Sequence, residues 1–177
     1  FNGTNTFIGK NDTPIRFGFT DALYAAANGV IPVKENDEVV EGIGLDMYGN
    51  YAVSAAAGLK YLSTLVAADD NNFEGKTVKL AADIDLTDVK TNGDSFAPIG
   101  STGERDDRNR LICEPFKGTF DGQGHTIKGI YQSGWDMGYD YDNYGSIGLF
   151  SVLEGATVKN IVIDGLHAEI ERGDISF

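Results

Sequence analysis

The sequence predicts an all-β fold, a right-handed parallel β-helix (solenoid) with an N-terminal capping α-helix, preceded by a small mixed segment. Three observations predict it. Short apolar strands of one pattern recur: Thr77-Val78-Lys79-Leu80, Thr126-Ile127-Lys128-Gly129-Ile130 and Thr157-Val158-Lys159-Asn160-Ile161 echo one another. Two insertions, "TDVKTNGDSFAPIGSTGERDDRNRLICEP" and "SGWDMGYDYDNYG", separate them, and shortening these leaves coils of similar length. The 23 glycines are scattered among apolar residues, as turn punctuation is, and are not gathered into a linker. Since one such strand cannot bury its apolar face alone, stacking is expected to build the core, with Val78, Ile127 and Val158 in one column.

Residues 1–49 form the mixed segment. "TFIG", "PIRFGF" and "VIPVK" read as short strands, and "TDALYAAANG" as a short helix with Thr20 as N-cap and Gly29 just past its end. Residues 50–177 form the predicted β-helix. Its clearest helix is 54–68, "SAAAGLKYLSTLVAA", with Ser54 as N-cap and Leu59, Leu62, Leu65 and Val66 on one face. Placed before the first coil, it suits a cap over open strand edges. In "KTVKLAADIDL" (76–86), Val78, Leu80, Ile84 and Leu86 supply the apolar positions of strands. The chain opens on Phe1 and stops on Phe177 in a strand-like context, which fits a piece truncated at its C-terminal end.

Four sub-motifs then stand in order: "FEGKTVKLAADIDL", "FAPIG", "FKGTFDGQGHTIKGIY" and "YGSIGLFSVLEGATVKNIVIDG". Together they resemble the GLUG-type β-helix repeat of bacterial surface proteins and putative adhesins, over about residues 50–177. The resemblance implies export and a binding or structural role; the long loop 101–115 is not required by that pattern.

A formal charge of −13 leaves no basic stripe for phosphates, so nucleic acid is excluded as a partner. No apolar run is long enough for membrane insertion. Cys113 is the one cysteine, which rules out an intrachain disulfide.

The most suggestive stretch for a ligand is 134–145. Trp135, Tyr139, Tyr141 and Tyr144 offer flat apolar faces to sugar rings, while interleaved acids and amides bond hydroxyls. Asp136, Asp140, Asp142 and Asn143 are a candidate calcium site, calcium being the one cofactor the sequence suggests, although their spacing is not that of an EF-hand. Elsewhere the bland readings lead. Asp83 and Asp85 alternate on a strand and face solvent together, and glycosidases use such acid pairs. Asp121 and His125, in "DGQGH", could form an acid/base pair, but Asp-Gly-Gln-Gly is also ordinary turn chemistry. Asn160 is expected to join an internal side-chain ladder between neighbouring coils, a structural role, and Lys128 and Lys159 to offset acidic surface. The reading is therefore no catalytic residue. The chain is expected to be a non-catalytic, secreted or cell-surface binding or structural module of a bacterial adhesin-like protein, with a glycan or a host or cell-surface protein as partner. Two alternatives stay open: a β-helical carbohydrate-active enzyme (polysaccharide lyase or glycoside hydrolase), or a subunit of a surface fibre that self-associates.

Overall fold

The computed structural model describes residues 6–8, 14–16, 30–46, 48–68, 72–88, 95–107, 111–133 and 147–169. Apolar alternation sets the strands. Val78 and Leu80 point inward from β6 (Thr77–Leu80), while Ile84 is the buried residue of β7 (Ile84–Asp85). Earlier in the chain, β1 (Thr6–Ile8) and β2 (Pro14–Arg16) make a two-stranded antiparallel ladder. A tight hairpin then joins β3 (Val30–Glu35) to β4 (Glu38–Asp46). Its two turn residues, Asn36 and Asp37, both have positive φ (50° and 68°), the backbone of a type I′ turn. β4 continues into β5 (Tyr51–Val53), which pairs with it antiparallel and with β6 parallel.

The later strands are β8 (Ser101–Arg105), β9 (Leu111–Cys113), β10 (Thr119–Asp121), β11 (Thr126–Ser133), β12 (Thr157–Lys159) and β13 (Val162–Glu169). A six-stranded sheet has the order β12-β10-β6-β5-β4-β3, a three-stranded sheet has the order β13-β11-β7, and β8–β9 is a separate antiparallel pair. Isolated parallel bridges join Ile99 to Phe150 and Phe116 to Leu153.

This architecture corrects the predicted right-handed parallel β-helix. The large sheet is mixed, because the β3–β4–β5 meander runs antiparallel at one side, and the described strands do not close into a solenoid. The expected column is corrected too. Val78 lies in register with Phe120 and Val158, whereas Ile127 belongs to the other sheet, between Ile84 and Ile163. The shared Thr-x-Lys triplet hid this difference, since strands of two separate sheets carry it.

The helix α1 (Ala56–Ala67) starts two residues later than expected, and Ser54 is not its cap: Ala55 takes that position without a side-chain bond. Leu59, Leu62 and Val66 enter the core fully buried, beside Ile43 and Val53. α1 packs tightly on β4: a Cβ on Gly58 would lie 2.0 Å from the Gly42 carbonyl oxygen. Aromatic rings carry the interior onward, Tyr51 to Phe73 (4.9 Å), Phe73 to Phe116 (5.7 Å) and Phe116 to Phe150 (5.3 Å). The buried Gln132 amide is fully employed, donating to the carbonyls of Phe96 and Gly148 and accepting from the Gly148 N–H. It thereby ties β11 to the chain on the far side of residues 134–146.

Among the described residues, burial differs between neighbouring strands at β12 and β13. Phe116, Phe120, Ile127 and Ile130 are fully buried. Their partners on the next strand or bridge are not: Leu153 is 50% exposed, Val158 38%, Ile163 41% and Leu166 44%.

Candidate functional site

Each acid singled out from sequence has bonding partners of its own among the described residues. Asp83 accepts the Thr126 N–H (2.9 Å) and faces His125 Nδ1 (3.1 Å). His125 therefore pairs with Asp83, not with Asp121 four residues before it; strand pairing in the three-stranded sheet brings the two together. The Thr126 N–H first, and the His125 ring second, lower the Asp83 pKa. Asp85 sits in register with Lys128, whose ammonium is 2.8 Å away, and also accepts the Thr87 N–H (3.0 Å). The Lys128 bond leads in holding the Asp85 carboxyl at about 2.

Asp121 is buried, and burial pushes its carboxyl up. Donors outweigh that: the Gln123 N–H at 3.0 Å, Asn160 Nδ2 at 3.0 Å and Lys159 Nζ at 3.3 Å, so its pKa falls. This is the turn chemistry that "DGQG" suggested, with Gly124 at φ 84° closing the turn. Asn160 is exposed and bonds Asp121, which differs from the internal ladder expected of it. These three carboxyls are held as anions at neutral pH, each with donors of its own.

The charges follow the strand register. Lys79, Asp121 and Lys159 align across β6, β10 and β12, and Asp85, Lys128 and Asp164 across β7, β11 and β13. Each row alternates in sign, the arrangement that stabilises cross-strand neighbours. Further along β11 and β13, Tyr131 stacks on His167 (5.7 Å between ring centres) and donates to Glu169 (2.9 Å), which also meets His167 Nε2 (3.1 Å). This cluster was missed. Aligning "TIKGIY" with "VIDGLH" rather than with "TVKNI" would have shown Tyr131 opposite His167.

A second feature is an open groove of about 790 Å³ between α1 and the β8–β9 hairpin. Ser63, Ser101, Glu104, Ile112 and Glu114 are among its lining residues. Ser63 Oγ is buried and donates within reach of the Ala97 and Pro98 carbonyls, so it shapes the wall. Thr102 Oγ1 donates to the Ile112 carbonyl (2.7 Å), which steadies the hairpin. Glu104 and Ile112 are exposed and Glu114 is half-buried, so the groove lining includes two carboxylates and an exposed apolar side chain. At one rim the Ser133 N–H donates to Ser95 Oγ (3.0 Å); Ser95 lines the groove, and the aromatic stretch follows Ser133 in sequence.

That stretch lies outside the described residues, with its ligand candidates Trp135, Tyr139, Tyr141 and Tyr144 and its calcium candidates Asp136, Asp140, Asp142 and Asn143. The predicted helix over 20–29 lies outside them as well. Among the described residues no three His, Cys, Asp or Glu side chains group to hold a metal, and no helix is long and apolar enough to cross a membrane. Cys113, a free thiol, is half-buried in β9. Compared with known proteins, the chain matches no family model, no curated protein and no solved structure.

Proposed function

We propose that this chain is a non-catalytic binding module of a secreted or cell-surface bacterial protein of adhesin type, and that its ligand is a glycan held at the α1/β8–β9 groove. The observation that carries this reading is the contrast between two surfaces. The candidate acids Asp83, Asp85 and Asp121 are each committed to their own donors and held ionised, which suits scaffolding and leaves a poor general acid. The groove, by contrast, includes in its lining the Glu104 and Glu114 carboxylates, acceptors for sugar hydroxyls, and Ile112, an apolar surface for a sugar C–H face. The resemblance to GLUG-type repeats supports export and a surface role.

The test is a glycan array with the purified chain, with and without calcium, alongside Glu104→Gln/Glu114→Gln and Trp135→Ala variants. Retention of a defined set of glycans, weakened at least about tenfold by the groove double variant at unchanged melting temperature, is expected. Binding that survives the Glu104→Gln/Glu114→Gln double variant would overturn the groove assignment, and Trp135→Ala tests the aromatic stretch separately.

A further inference from the structure

We infer that the groove between α1 and the β8–β9 hairpin selects an amino sugar with free, protonated amines over neutral and acidic sugars; this rests on the glycan reading of that groove. The lining has spent most of its donors and kept its strongest acceptors. Three of its hydroxyls give their protons to backbone carbonyls. Ser63 Oγ lies 3.1 Å from the carbonyl oxygens of both Ala97 and Pro98, Thr64 Oγ1 donates to Tyr61 (2.8 Å), and Thr102 Oγ1 donates to Ile112 (2.7 Å). Thr102 Oγ1 also accepts the Glu104 N–H (3.1 Å), which completes its bonding. Lys60 lines the groove too, and already has a partner.

The two carboxylates are the opposite case. Among the described residues, the side chains of Glu104 and Glu114 have no hydrogen-bond or ion-pair partner, whereas Asp83, Asp85 and Asp121 each have donors from the chain. Glu104 stands two residues after Thr102, and Glu114 two after Ile112, so each shares a strand face with another lining residue. Glu114 is half-buried, and an anion partly withdrawn from water gains most from a ligand that brings the missing donors. An ammonium group suits this lining best: it carries three donors, no acceptor and a positive charge. N-acetylation would replace it with an amide whose carbonyl needs a donor, and a uronate would set like charges together in a chain of charge −13. Ile112, 37% exposed, offers an apolar surface to the C–H face of the ring, which a simple polyamine does not have.

The experiment is calorimetric titration of the 177-residue chain with three oligosaccharides of equal length, at a pH where amines are protonated and in about 0.15 M salt. The three are a glucosamine oligomer, its fully N-acetylated counterpart and a uronate oligomer. The glucosamine oligomer is expected to bind at least about tenfold more tightly than the other two. Glu104→Gln/Glu114→Gln should bring it down to the level of the N-acetylated oligomer at unchanged melting temperature. Glu38→Gln/Glu41→Gln, which removes the same charge from exposed positions on β4, should leave the preference intact. Equal loss in that control would mean that overall charge alone attracts the amine, and would overturn the inference. A lysine oligomer that binds as tightly as the glucosamine oligomer would overturn it too, since the sugar ring would then contribute nothing. If the N-acetylated oligomer binds equally well and is weakened by the groove double variant, the amine selectivity fails while the glycan reading of the groove stands. If the chain retains no glycan of any kind, both fail.

Discussion

At the scale of single residues, the structure depends on carboxylates that fasten turns and strand neighbours. Asp46 ends β4 and accepts from the Tyr48 N–H, the Asn50 N–H, Asn50 Nδ2 and Lys79 Nζ, all within 3.1 Å. Burial pushes its carboxyl up, but these donors prevail and hold it at about 2, below the ordinary 3.8. A folded-state pKa below the unfolded one means that this stabilisation is complete above about pH 4. It is lost as the pH falls towards 2. The urea midpoint should accordingly drop between pH 5 and pH 2, and Asp46→Asn should flatten that drop; an unchanged profile would show that the donors do not hold the carboxylate. Asp121→Ala strands the Gln123 N–H, the Asn160 amide and Lys159 together. It should cost about 2 kcal/mol in urea titration, against a fraction of that for Gln123→Ala, which removes only an exposed side chain.

At the scale of elements, local signals were legible and pairings were not. α1 was readable because Leu59, Leu62 and Val66 recur at helical spacing, and β6 because Val78 and Leu80 alternate. The β3–β4 hairpin escaped because its turn is Asn36-Asp37, without the glycine that usually marks two positive φ values. The repeat was seen in the wrong register, since Thr126 resembles Thr157 in local sequence but pairs with Val162 in space. Pairing between distant strands is set by packing, and the triplet carries no record of it. The groove was not legible at all, because α1 and the β8–β9 hairpin that form it are separated in sequence and meet only in the fold. The α1–β4 contact gives a clear prediction. Alanine normally favours a helix over glycine by about 1 kcal/mol, yet Gly58→Ala should destabilise by about 1–3 kcal/mol, because its Cβ would collide with the Gly42 carbonyl. Thermal unfolding of this variant decides between helix propensity and close packing.

At the scale of the whole molecule, the mixed sheets present two surfaces of different character among the described residues. The groove, lined by Glu104, Ile112 and Glu114, is where the proposed glycan would sit, and the β12 and β13 face exposes Leu153, Val158, Ile163 and Leu166. Neither calls on the ionised candidate acids for chemistry. The central claim is binding without turnover. It is tested most directly by loading the protein with an excess of a glycan that it retains, isolating the complex and weighing the recovered glycan by mass spectrometry. The account predicts stoichiometric recovery at unchanged mass after prolonged incubation. Shortened or unsaturated products that accumulate with protein concentration would contradict it.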